Sequence, residues 1–192
     1  MSAALKLEPR PPKWSVQDYL EAEKNSEVRH EYVGGDLYAM AGASEEHNFI
    51  SLNIASALRA HLRGKPCKVF IHDMKAHVFA NLTLFYYPDV MVACDPSDDD
   101  RYYKTKPRII VEVVSESSRG TDTREKFITF IQLPSLEEYV LVEQGSMTVT
   151  VHRRSNEWIP DILTGADALL ELSSIGFSMP LSLIYEGVLP KA

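Results

Sequence analysis

The sequence predicts an α/β fold of the α+β kind, in which a mixed central β-sheet is flanked by helices. Three observations lead there. Val90-Met91-Val92-Ala93 and Ile109-Ile110-Val111-Glu112-Val113-Val114 are apolar on both faces, as expected of strands covered on two sides. Segments of helical spacing separate the strands, yet helices and strands do not alternate strictly. No glycine-rich loop joins a strand to a helix, which argues against a doubly wound nucleotide fold.

Each element has its own signal. Residues 1–14, rich in proline, read as a flexible arm ahead of a single domain over 15–192. Ser15 is the N-cap of a helix to about Asn25, with Asp18 in a capping-box position. Residues 30–40 read as a hairpin turning at Gly34-Gly35. Ser44 caps a longer helix whose Ile50, Ile54, Leu58 and Leu62 share one face, and Gly64 stops it. Residues 68–80 and 84–93 read as one antiparallel pair around Asn81-Leu82. The acidic run 95–100 is a solvated loop, and 108–114 is the next strand. Thr121 or Asp122 opens a helix to about Gln132, which Pro134 ends. Strands at 138–143 and 147–153 follow as a hairpin around Gly145. Trp158 begins another short strand, and Pro180 starts a short helix to Tyr185.

Composition narrows the function. The net charge is −7, whereas tight, sequence-independent nucleic-acid binders are usually basic. A simple DNA-binding module is therefore disfavoured, but a metal-dependent nuclease, whose site is itself acidic, is not. No apolar run is long enough for a membrane span, and residues 1–12 lack the apolar core of a secretory signal. A cytoplasmic location with no membrane partner is expected. Cys67 and Cys94 lack metal-ligand spacing, and each is expected to pack as a small apolar residue in a reducing compartment.

Asp89 and Glu112 interrupt the two most apolar strands. An ionised carboxylate there is costly unless it is paired, hydrogen-bonded or bound to a metal. Two oxygen ligands on neighbouring strands suit a hard divalent cation, Mg2+ or Mn2+, with room left for a phosphate oxygen and water. A lysine beside them would orient that water and stabilise charge on phosphorus. Two residues after Glu112 stands Val114 and not a lysine. Lys126, on the following helix, is the substitute; Asp122, Lys126 and Phe130 share one helical face.

Pro88-Asp89, Glu112-Val113-Val114 and a displaced Lys126 resemble the PD-(D/E)XK nuclease fold. The chain is more closely similar to the Uma-two family of restriction-endonuclease-like proteins. That resemblance is carried by Arg29-His30-Glu31-Tyr32-Val33-Gly34-Gly35, Glu46-His47-Asn48, Tyr87-Pro88-Asp89-Val90, Val111-Glu112-Val113-Val114-Ser115, Glu125-Lys126-Phe127 and residues 136–142. It implies a restriction-endonuclease-like sheet, with Asp89 and Glu112 as metal ligands, Glu31 completing the site, and Lys126 as the relocated lysine. It also implies a nucleic-acid substrate, taken as DNA. Cutting both strands with one site per chain would need two protomers, so a homodimer is expected.

Other residues have competing uses. Glu31 pairs with Arg29 or joins the site. His47 caps a helix or joins the site, and Asp73 and Lys75 either pair with each other or extend the polar cluster. Arg101, Lys104, Lys106 and Arg108 meet phosphates or offset the preceding aspartates. The Tyr86-Tyr87 and Tyr102-Tyr103 doublets stack bases or pack in core and rim. Two functions remain: a metal-dependent endonuclease, and a nuclease-fold binding or regulatory module with weak or no turnover.

Overall fold

The computed structural model describes residues 13–79, 82–115 and 121–188, and of 121–123 the backbone alone. Most of the expected arm (residues 1–12) and the 116–120 loop lie outside the described residues. Lys13 Nζ donates to the Gly34 carbonyl at 2.9 Å, and the Trp14 N–H donates to that of Gly35 at 2.9 Å.

Helix α1 (Val16–Glu23) starts where Ser15 Oγ accepts from the Asp18 N–H. Strands β1 (His30–Val33) and β2 (Asp36–Ala39) form the hairpin, turning on Gly34 and Gly35 at φ 54° and 99°. Both angles are positive, as a two-residue turn matched to strand twist requires. Helix α2 (Glu45–His61) is capped by Ser44 through the His47 N–H. Six strands follow: β3 (Lys68–Ile71), β4 (Lys75–Phe79), β5 (Thr83–Tyr86), β6 (Val90–Ala93), β7 (Tyr103–Lys104) and β8 (Pro107–Val114). Helix α3 (Thr121–Phe130) leads to β9 (Glu138–Glu143), β10 (Thr148–Arg153), β11 (Pro160–Thr164), β12 (Leu169–Leu172), β13 (Phe177–Pro180) and α4 (Leu181–Ile184).

The class is the mixed α+β one expected, with mixed sheets flanked by helices. A six-stranded sheet runs β11-β10-β9-β8-β6-β3, its β8–β9 step parallel. A five-stranded sheet runs β2-β1-β5-β4-β7, and β12 pairs with β13. On one face of the larger sheet, Ile50, Ile54 and Leu58 of α2 and Leu181 and Ile184 of α4 pack on Val90, Val92, Ile109, Val111 and Val140. The other face carries Met91, Ile110 and Tyr139, covered by Phe130 of α3 and by Ala76, Val78, Leu84 and Tyr86 of β4 and β5. Burial on both faces explains the uninterrupted apolar runs.

Three expectations need correction. The pair read over 68–80 and 84–93 is bent: its outer half, β3/β6, belongs to the six-stranded sheet and its inner half, β4/β5, to the five-stranded one. The bend lies where His72 takes a left-handed φ of 40° and where Pro88 has no N–H to give a ladder. Cys67 and Cys94 are joined by a disulfide, because they extend the β3/β6 register one step beyond Lys68↔Ala93. Trp158 sits in a left-handed turn (φ 64°) following a 3₁₀ turn, and the strand begins only at Pro160.

His77 on β4 stacks on Phe85, ring centroids 4.3 Å apart and planes 10° apart. Neither of its ring nitrogens has a hydrogen-bond partner among the described residues. Burial holds its pKa below the ordinary 6.5. The unfolded chain therefore binds a proton that the folded chain resists, and stability is lost as pH falls below about 6.5. Urea denaturation at pH 5.5 and 7.5 is expected to show this loss in the parent and a smaller one in His77→Phe.

Candidate active site

The bend in the β3–β4/β5–β6 ribbon positions the polar residues. His72 directly follows β3 and Asp89 directly precedes β6, and the His72 N–H donates to the Asp89 carbonyl at 3.2 Å. The register Ile71↔Val90 continues to place His72 opposite Asp89, and Val90↔Val111 places Asp89 opposite Glu112. Side chains alternate across a strand. Val90, Val92, Ile109 and Val111 pack toward α2, so Asp89 and Glu112 share the opposite face with Met91 and Ile110. Both acids line one cavity of about 600 Å³, together with His47, His72 and Lys126.

Asp89 is 8 % exposed. Its Oδ2 accepts from the Val113 N–H at 2.7 Å, and its Oδ1 lies 2.8 Å from His47 Nε2 and 3.7 Å from His72 Nδ1. Burial pushes its pKa up, but the hydrogen bonds of His47 and His72, the His47 charge and the Val113 N–H outweigh this. The carboxyl is held at about 2 and is an anion at neutral pH. The same contact with Asp89 raises the pKa of His72. The nearest ring nitrogens of His47 and His72 and a carboxylate oxygen of Asp89 lie within 4.8 Å of one another. This donor set fits a divalent cation: carboxylates suit Mg2+ and Mn2+, and imidazole nitrogens incline it toward the transition metal.

Lys126 reaches the cavity from α3. Its Nζ lies 2.7 Å from Glu31 Oε1, and 5.5 Å from the centre of the Tyr86 ring. The face it shares with Phe130 is therefore turned inward. The side chain of Asp122, on the same face by spacing, lies outside the described residues. Glu31 is buried on β1, where its Oε1 also accepts from the Tyr87 N–H at 3.5 Å. It touches the cavity through Lys126 and does not pair with Arg29. Val114, two residues beyond Glu112, is a buried apolar part of the cavity wall.

The remaining candidates separate. His47 both donates its backbone N–H to the Ser44 Oγ that caps α2 and holds Asp89 through its ring. Asp73 pairs with Arg29 at 3.2 Å, not with Lys75, because the turn before β4 swings it away from the strand. Lys75 is buried near Tyr87 in an adjoining cavity. Lys104 and Lys106 serve the acidic loop: Lys104 Nζ donates to the Asp98 and Asp100 carbonyls, and Lys106 pairs with Asp95 at 2.8 Å. His72 was not anticipated. Its signal was the polar His72-Asp73 break in an apolar strand, legible only with the β3/β6 register in hand.

A family model described as "Putative restriction endonuclease", Uma2, matches residues 16–182. The chain belongs to the Uma2 family. Among its relatives, "Uncharacterized protein slr1290" of Synechocystis sp. is 34% identical over 180 residues, 92% of this chain and 94% of that protein. "Uncharacterized protein sll1609" from the same organism is 30% identical over 164 residues, 83% and 92% of the two chains. A crystal structure from Anabaena variabilis, "a putative nuclease belonging to DUF820", matches at TM-score 0.75 and 15% identity. It covers 93% of this chain and 100% of its own, so the two share a fold. No helix among the described residues is long and apolar enough to cross a membrane.

Proposed function

We propose that this Uma2 protein is a metal-dependent endonuclease that hydrolyses phosphodiester bonds, with DNA as its substrate. The observation that carries the reading is the meeting of Asp89, Glu112 and Lys126 at one cavity on one face of the sheet. The family description, "Putative restriction endonuclease", and that of the Anabaena protein, "a putative nuclease", support it. Asp89 and Glu112 would hold Mg2+ or Mn2+, and His47 and His72 would join as nitrogen donors on giving up the ring protons they direct at Asp89. The chemistry supplied by the bound cation is neutralisation of charge at a phosphoryl oxygen and acidification of water.

The chain's own groups do the rest. His47, His72 and the Val113 N–H keep Asp89 ionised and fixed in direction, so the ligand is formed before substrate arrives. Glu31 holds the Lys126 ammonium at the cavity wall, where it orients the attacking water and stabilises charge developing on phosphorus. Cutting both strands of a duplex would take two copies of the chain.

Incubating purified protein with supercoiled plasmid tests this. Nicking is expected with Mn2+ or Mg2+ and not with EDTA, and Glu112→Gln is expected to lower the rate at least about a hundredfold. Equal nicking by parent and Glu112→Gln would assign the activity to a contaminant or to another site. The net charge of −7 favours the second reading, a binding module without turnover, which predicts nucleic-acid binding and no cleavage under any divalent ion.

A further inference from the structure

A second cavity, of about 380 Å³, adjoins the first and shares Arg29, Asp73 and Tyr87 with it. Its wall contains Lys75, only 6 % exposed. Among the described residues this ammonium forms no ion pair, and its one hydrogen bond is a long one, 3.4 Å to Tyr87 Oη. Burial pulls its pKa down, while the charges of Glu23, Asp100 and Asp73 pull it back up in part.

The acids of the wall are engaged elsewhere. Glu23 accepts from Tyr87 Oη at 2.9 Å and from the His30 N–H at 2.8 Å. Asp73 is held by Arg29, and Asp100 Oδ1 accepts from the N–H groups of Tyr102 and Tyr103. A buried cation with three donors and one weak acceptor leaves room for an anion. Around it stand Arg101 and Arg29; the Nε and Nη1 of Arg29 already serve Asp73 and the Ser26 carbonyl, and its remaining N–H groups are further donors. Tyr102, a residue 52 % exposed, stands at the rim with Lys24 Nζ 5.9 Å from its ring centre.

We infer that this cavity is a nucleotide subsite: it takes one unpaired nucleotide of a nucleic-acid strand, its phosphate on Lys75, Arg29 and Arg101 and its base against Tyr102. The inference rests on the nucleic-acid reading of the neighbouring site and deepens it. A strand lying over Asp89 and Glu112 continues past Arg29 into this cavity. A paired base cannot turn aside in that way, so the subsite selects single-stranded or frayed ends over intact duplex.

The test is binding without cleavage. A fluorescent single-stranded deoxyoligonucleotide and the duplex of the same sequence are titrated in EDTA with the parent, Lys75→Met and Tyr102→Ala, and competed with dAMP or orthophosphate. Lys75→Met is expected to weaken single-strand binding about tenfold and Tyr102→Ala about fivefold, with duplex binding unchanged. The nucleotide is expected to outcompete orthophosphate.

Unchanged single-strand affinity in both variants overturns the inference. Equal losses for strand and duplex also overturn it, since they would mean charge attraction alone. So does competition by orthophosphate as strong as by dAMP. Tyr102 is exposed, so its variant remains informative even if Lys75→Met fails to fold. Lys75-dependent binding by a protein that never nicks plasmid would sink the endonuclease reading and leave the subsite standing. Nicking that is indifferent to Lys75 and Tyr102, with unchanged binding, would do the reverse.

Discussion

Asp89→Asn is expected to lower cation-dependent phosphodiester cleavage about a thousandfold while leaving the fold intact. Asparagine keeps the shape of the side chain and an oxygen for the Val113 N–H, which Asp89 Oδ2 now accepts at 2.7 Å. What it removes is the negative charge that His47 and His72 hold in place. A metal ligand contributes several kcal/mol of transition-state stabilisation, and about 4 kcal/mol corresponds to about a thousandfold in rate. Asp89→Ala separates the two roles. It loses the same activity and also leaves the Val113 N–H buried without its partner, at a cost of about 1–3 kcal/mol in stability. Plasmid nicking and urea denaturation, measured on the same preparations, read the two effects. Retained nicking in Asp89→Asn would mean that the carboxylate is structural.

Lys126→Met is expected to slow cleavage by about a hundredfold to a thousandfold, the range for removing one preorganised donor from developing charge. It also breaks a part-buried ion pair. Lys126 Nζ lies 2.7 Å from Glu31 Oε1, and the side chains are 14% and 12% exposed. Removing the lysine takes this contact from a buried carboxylate, and a loss of about 1–3 kcal/mol follows. Glu31→Gln in the Lys126→Met background is expected to recover part of the stability and none of the activity. That combination distinguishes a lysine acting on substrate from one that merely fills a structural pair. Recovery of cleavage in the double variant would contradict the assignment.

Local rules carried the reading of most elements. Ser15 and Ser44 cap α1 and α2, Gly34-Gly35 turns the first hairpin, and Pro180 starts the last helix, because each acts on its immediate neighbours. Asp89 and Glu112 were legible for a different reason: a charge inside an apolar strand needs an explanation, and parity puts both on one face. What local rules missed depends on register. The bend at His72 and Pro88 splits one ribbon between two sheets, and that split brings His72 onto Asp89 and Cys67 onto Cys94. Asp73 and Lys75 are separated for the same reason: the turn points one at Arg29 and buries the other. Lys126 is legible because Val114 leaves the strand without a lysine and α3 follows directly, but its tie to Glu31 spans 95 residues and is visible only in the fold.

We propose that Asp89, directly before β6, and Glu112, opposite it on β8, together grip one divalent ion. Anomalous diffraction from crystals soaked in Mn2+ tests it most directly. A single peak is expected within about 2.2 Å of a carboxylate oxygen from each residue, and it should vanish in Glu112→Gln. A saturating soak with no peak there, or a peak that Glu112 does not touch, would contradict it.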